Sequence, residues 1–599
     1  MRLYQLAVLV GLASASNLPA DHVLWGPGGP PQTLIQRQAS PTSSKAASTR
    51  TPDGVCSNGP NTRGCWANGY SIATDFDAKW PNTGRTVKYN LEITNSTCNP
   101  DGAVARPCLL FNGQLPGPTI YANWGDMIQV TVTNKMPSNG TSVHWHGIRQ
   151  YQTNSQDGTN GLTECPLAPG DTKTYTFQAT QFGTSWFHSH FSTQYGDGAS
   201  GQIVINGPAS ANYDEDLGTF TLSDWYYRGS FGIEALTMAA LQRGQPGPNP
   251  DNILVNGTSK SATGTGSYST TTMKPGKRYR LRLINNSVID AIWVSLDGHS
   301  MQVITSDFVP TVPWNTNWLL VAIGQRYDVI ITANQTASNY WFRANSAPGC
   351  NTTSALNGKA IFKYDGAPAV DPATSNTPQP GGCDEPLPTP VVPNAVPSAT
   401  FLSQVKNLGV DLTVSNVTTN QQNIVFWGIN MTAIDIDWEK PTIQYVMDKN
   451  TTYPHTYNLI ELPTSDIWTY WIIQETAGTK VPIAHPMHLH GHDFYILGYG
   501  TGIFDTATSP SKLNFNNPTR RDSAILPARG WLAIAFPTDN PGSWLMHCHI
   551  ANHISEGLGV QFLESKDKIK LPGPDYQQTC SNWDKYWKTS IYPKTDSGL

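Results

Sequence analysis

Eleven of the 14 histidines in this 599-residue chain fall in four short motifs. They are His144-Trp-His146, His188-Ser-His190, His485-Pro-Met-His488-Leu-His490-Gly-His492, and His547-Cys548-His549 with His553. Each contains a His-x-His pair. On a β-strand, residues i and i+2 face the same side, so each pair projects two imidazoles into one space. Four pairs supply eight imidazoles, too many for one metal and about right for three. Imidazole suits copper, zinc and iron. Cys548 narrows the choice, because one cysteine with two histidines and a weak or absent axial ligand makes a blue-copper electron-transfer site. His485 and His553 complete that set. Structural zinc sites use cysteine pairs or a two-plus-two spacing, which a single cysteine inside a histidine motif does not match.

Two further residues refine the metal reading. Leu558 stands ten residues after Cys548, where many blue-copper proteins carry methionine. Leucine cannot ligate, and a missing thioether in an apolar surround raises the reduction potential. His547 and His549 flank Cys548 and would bind two metals of a second cluster. Electrons arriving at the thiolate would then cross only a few covalent bonds to reach it.

The rest of the sequence describes the vessel for this chemistry. The length allows three or four domains. Gly (52) and Pro (45) are abundant, which favours many short strands joined by turns. Alternating runs at Ile128–Asn134, Thr174–Phe177, Ile203–Asn206, Tyr279–Ile284, Tyr327–Thr332 and Leu532–Phe536 have the period-two pattern of half-buried strands. The expected fold is all-β, with strands spaced as in sandwiches or small barrels. Turn-rich sequence near 206–212 and the Pro/Gly/Thr/Ser-rich stretch to residue 400 divide the chain. The reading is 51–206, 207–366 and 401–566 as three β domains, 367–400 as a linker and 567–599 as a tail. The first and third domains each carry two histidine motifs, a weak internal echo.

A net charge of -5 offers no basic face for nucleic acid and no polybasic membrane signal. Arg2, the apolar run Leu6–Leu12 and small residues to Ala20 read as a secretory signal, 1–20, followed by a pro-segment, 21–50. No later apolar run is long enough to span a bilayer. Secretion makes disulfides expected for Cys56, Cys65, Cys98, Cys108, Cys165, Cys350, Cys383 and Cys580, leaving Cys548 as the odd thiol. Cys98 and Cys108 pair by proximity. Sequons at Asn95, Asn139, Asn256, Asn285, Asn334, Asn351, Asn416, Asn430 and Asn450 fit the same compartment.

Together with the Cys56-Ser-Asn-Gly-Pro-Asn-Thr-Arg-Gly-Cys65 segment, these motifs resemble those of the multicopper oxidases, and within them the ascomycete laccases. The resemblance covers nearly the whole chain. It implies three cupredoxin-like Greek-key domains and four coppers. The type 1 copper would be held by His485, Cys548 and His553, and the type 2 copper by His144 and His488. One type 3 copper would take His146, His188 and His549, the other His190, His490 and His547, with His492 left over. It implies a proton-supplying role for Asp157 and a phenol-accepting carboxylate at Asp290, in a stretch that can slip by one onto Ile289. Cys165–Cys580, Cys56–Cys65 and Cys350–Cys383 are the bridges it implies. Asp596-Ser-Gly-Leu599 resembles the site at which such laccases are trimmed, the new end plugging a channel.

The expected activity is one-electron oxidation of phenols and aromatic amines at the type 1 copper, coupled to four-electron reduction of dioxygen to water. A monomer without membrane or nucleic-acid partners is expected. The rival readings are a ferroxidase, an ascorbate or bilirubin oxidase, and a secreted copper-binding protein without turnover.

Overall fold

The computed structural model describes residues 57–350, 352–414, 424–591 and 593–599. The signal, the pro-segment and the Cys56 half of the Cys56–Cys65 bridge lie outside them. Among the described residues are thirty strands in six sheets, so the all-β expectation holds.

The alternating runs form strands for the reason their pattern suggests. In Met127–Asn134, Ile128, Val130 and Val132 are 0% exposed while the residues between Met127 and Thr133 that alternate with them are half-buried. Each such side chain taken out of water stabilises by about 1.5–3 kcal/mol. The strands that carry histidines differ. Val143–His146, Gly183–Ser189, His485–Leu489 and Gly542–Cys548 are buried at every residue. Both their faces are covered, so no alternation marks them in the sequence.

Each pair of sheets closes over one apolar core. In the third unit one sheet runs Val425–Ile429, Lys406–Val414, Trp468–Glu475, Gly530–Pro537, Phe494–Thr501, Thr519–Arg521. Its partner runs Leu459–Leu462, Gly559–Glu564, Gly542–Cys548, His485–Leu489, Ser523–Leu526. The middle unit, Glu215–Tyr364, has the same strand order in both sheets, and the first unit has it with three strands fewer. The echo between first and third domains thus extends to the middle one, which keeps the scaffold and lacks the histidine pairs.

Residues 367–400 are stitched to two units. Val391 donates to Pro310 O at 2.9 Å, and Thr519 Oγ1 donates to Pro388 O at 2.8 Å. The tail binds the first unit. Its helix Pro574–Trp587 buries Trp583 completely, and Gly140 is required opposite it because a Cβ there would stand 2.5 Å from the Trp583 ring. Beyond the helix, Gly598 O accepts from Asn160 Nδ2 at 2.6 Å and from Trp438 Nε1 at 2.9 Å, and Leu599 is buried. No helix among the described residues is long and apolar enough to cross a membrane.

The disulfides Cys98–Cys108, Cys165–Cys580 and Cys350–Cys383 all form. One sequon is corrected: Asn285 is 0% exposed, with Nδ2 donating to Asp290 O and Val321 O, so it cannot accept a glycan. Cys165–Cys580 joins residues 415 apart. Replacing Cys580 with serine is expected to cost about 2–5 kcal/mol. Thermal unfolding checks the cost, and limited proteolysis should show the 574–587 helix newly cleavable. Unchanged protease resistance would mean that Trp583 packing alone holds it.

Candidate metal centre

Strand register brings the motifs together. Val143–His146 pairs antiparallel with Gly183–Ser189, setting His144 opposite His188. His485–Leu489 pairs with Gly542–Cys548, setting His488 opposite His547 and Met487 opposite Cys548. Cross-strand neighbours share a face. His488 and His547 therefore look one way, into the seam between first and third units. Met487 and Cys548 look the other way, into the core of the third.

On the core side, Cys548 Sγ lies 3.6 Å from His485 Nδ1 and 3.5 Å from His553 Nδ1, and the two nitrogens are 3.3 Å apart. A triangle with such edges has its centre about 2 Å from each corner, which is metal–ligand bonding distance. Burial pushes the Cys548 thiol far above its ordinary range, so a cation is what would keep it ionised here. Leu558 is 0% exposed and packs in the same apolar cluster as Cys548, and its carbonyl accepts the Cys548 N–H at 3.1 Å. Trp427 covers both imidazoles, with ring centroids 5.0 Å from His485 and 4.7 Å from His553.

On the seam side, His144, His146, His188, His190, His488, His490, His547 and His549 form one buried cluster. Three sets of nitrogens each lie within 4.8 Å of one another: His144/His488/His490, His144/His146/His188 and His190/His490/His547. His549 joins through His146, Nε2 to Nδ1 at 3.2 Å. Burial, reinforced by neighbouring imidazoles, drives His146, His188, His190, His490, His547 and His549 well below the ordinary histidine range. They are neutral, the form that ligates metal.

Six of the eight rings have one nitrogen tied to a carbonyl or a carboxylate. Nδ1 meets a backbone carbonyl in His144 (Asp157, 3.0 Å), His188 (Ser189, 3.0 Å), His488 (Asp522, 2.8 Å) and His547 (Cys548, 2.8 Å). Such bonds fix the tautomer and aim the other nitrogen. Nε2 of His144, His188, His190 and His488 has no partner. Buried, unpaired nitrogens aimed at one another fit a set of bound metal ions and little else.

Two carboxylates border the cluster. Asp157 Oδ2 lies 2.9 Å from His490 Nδ1, and Oδ1 lies 3.3 Å from His144 Nδ1. Asp522, absent from the sequence reading, lies 3.2 Å from His146 Nε2. Burial favours its neutral form, but Arg326 and the hydrogen bonds of His146 and His488 outweigh that and hold it well below the usual carboxylate range. The one signal in the sequence was Arg520-Arg521-Asp522, a charged run in a chain only 14% charged.

His492, left without a copper in the sequence, has a partner outside the cluster, and Asp290 has no open edge to line. His492 is engaged by Glu564, Nε2 to Oε2 at 2.9 Å. Asp290 is 0% exposed, so its carboxylate lines no open edge. Its N–H donates to Asp224 Oδ2 at 3.0 Å, and burial with the neighbouring Asp224 charge pushes its pKa to about 8. The segment still touches the metal region, since Val288 O accepts from Ala551 N at 3.1 Å. Ile289 is half-buried against the cluster that contains Cys548.

Comparison with known proteins converges on this chemistry. Multicopper oxidase family models match residues 92–210, 216–367 and 416–568. Laccase-3 of Botryotinia fuckeliana is 55% identical over 75% of this chain and 100% of its own. Laccase-1 of Melanocarpus albomyces is 42% identical over 99% of this chain and 97% of its own. The crystal structure of the laccase from Botrytis aclada superposes with a TM-score of 0.84 at 43% identity, covering 91% of this chain and 100% of that one. With its histidine cluster and thiolate triangle, the chain belongs to the multicopper oxidase family and, within it, to the fungal laccases, copper-dependent oxidoreductases.

Proposed function

We propose that the chain acts outside the cell as a monomer, taking single electrons from phenols and aromatic amines and delivering them to dioxygen. The observation that carries this reading is the last strand-borne motif. Cys548 faces His485 and His553, while its covalent neighbours His547 and His549 face the eight-imidazole cluster. Bound copper would supply one-electron uptake at the thiolate and four-electron reduction of dioxygen to water at the imidazole cluster.

The chain's own residues do the rest. Cys548, His485 and His553 would hold the first copper. His144 and His488 would hold the second, His146, His188 and His549 the third, and His190, His490 and His547 the fourth. Leu558 lends no ligand atom and, with Trp427, excludes water from the thiolate. His553 is the least buried of its triangle, at 6% against 0% for Cys548 and His485, so a donor meets the site at its ring. Asp157 holds the His490 N–H and stands beside His144, where it can pass protons toward reduced oxygen.

The copper-loaded protein is expected to show the intense visible absorption of a thiolate-bound copper and to consume dioxygen with a phenol. Turnover of Fe(II) or ascorbate alone would sink the laccase reading, and loaded protein that takes up no dioxygen with a phenol would be a copper-binding protein. Leu558→Met supplies a thioether and is expected to lower the reduction potential, measured by redox titration of the visible band. Chelating the copper should abolish that band and lower Tm, because a ligand bound only by the folded state stabilises it.

A further inference from the structure

The middle unit holds none of the eleven candidate ligands, yet it reaches the cluster. Arg326 opens the middle-unit strand Arg326–Thr332 and is 0% exposed. Its guanidinium clamps Asp522 of the third unit through two parallel bonds, Nη1 to Oδ1 at 2.6 Å and Nη2 to Oδ2 at 2.7 Å. Nε donates to Thr184 O of the first unit at 3.2 Å, so one side chain ties all three units. Asp307 completes the frame. Its Oδ1 accepts the Arg326 N–H at 2.9 Å, and its Oδ2 accepts the N–H of Asp522 at 3.1 Å.

Asp522 passes this constraint to two histidines. Its carboxylate takes His146 Nε2 at 3.2 Å and its carbonyl takes His488 Nδ1 at 2.8 Å. The opposite nitrogens are then left for other partners. His146 Nδ1 points to His549 Nε2, and His488 Nε2 has no partner. The packing admits no slack. Gly147 has φ +73°, and a Cβ there would stand 2.4 Å from Arg326 Nη2. Gly324 has φ +83°, and a Cβ there would stand 2.9 Å from His146 Cε1 and 3.1 Å from His549 Cδ2.

We propose that Arg326 is a positioning residue for copper binding at the His146–His488 side of the cluster, acting through Asp522. Asp522 lies within 4.8 Å of the nitrogens of His146 and His488 and could itself be counted a ligand. The Arg326 fork takes both of its oxygens, however, and makes it an acceptor that fixes two imidazole tautomers. The inference rests on the copper assignment above.

Arg326→Met and Arg326→Lys test it in the full holoenzyme. Lysine keeps the charge and loses the fork. Copper per chain is measured after dialysis against a chelator, with the electron paramagnetic resonance of the copper that has no thiolate ligand. The expected result is about 10- to 100-fold weaker retention of cluster copper in Arg326→Met, the scale for losing a partner that orients a metal-bound histidine. The resonance should be altered and Arg326→Lys should lie between. The thiolate band, and its bleaching by phenol without dioxygen, should be unchanged in both. If Arg326→Met does not fold, Arg326→Lys decides alone. Arg326→Lys with wild-type retention and resonance would overturn the proposal. So would loss of the thiolate band in step with cluster copper, which marks a merely structural role. Wild-type protein without the thiolate band would instead overturn the copper assignment.

Discussion

A buried polar atom left without a hydrogen bond costs about 1–3 kcal/mol, and the seam between the first and third units gathers such atoms from three strands. His144, His188, His190 and His488 each aim an unpaired Nε2 inward. The arrangement survives because burial pushes seven of the rings toward the neutral form, which removes the repulsion that crowded cations would feel. It also survives because six of the rings have a nitrogen tied to carbonyls and carboxylates of two different units. The unfavourable term that remains is the one a bound cation cancels. Affinity for metal and the cost of the apo fold are two statements of the same burial.

Three copies of one strand order surround that seam, and they divide the labour unequally. The first and third supply imidazoles. The middle copy supplies a guanidinium, the Gly324 turn that lets His146 and His549 approach, and the surface on which residues 367–400 lie. Its buried ion pairs are weak grounds for stability in themselves. Their value lies in holding a carboxylate where two histidines need it.

Much of this was legible in the residues. Period-two runs marked strands with one face toward solvent, and Ile128–Asn134 is the plainest case. The His-x-His pairs marked the ligands, because that spacing survives total burial. What escaped lacked any periodic signal. The ligand strands are covered on both faces. Asp522 and Arg326 sit 196 residues apart and are joined only by tertiary packing. Asp290 was expected as a phenol-accepting carboxylate, but its segment folds back onto Asp224, which takes the N–H groups of Val288, Ile289 and Asp290. The Pro574–Trp587 helix buries Trp583 against the first and third units and Tyr576 against the third, contacts that nothing local to the helix announces.

The strand Gly542–Cys548 serves two centres with its two faces, and His485–Leu489 does the same, since His488 stands three positions after His485 and three is odd. Parity is therefore the hidden variable of the site. Deleting or inserting one residue inside either strand would swap its faces, sending thiolate chemistry to the seam and imidazoles to the core. Point substitutions can weaken one centre by degrees. A change of length in these two strands has no halfway outcome, so variation in length belongs to the turns around them, and the spacing His-Cys-His reads as a single indivisible word.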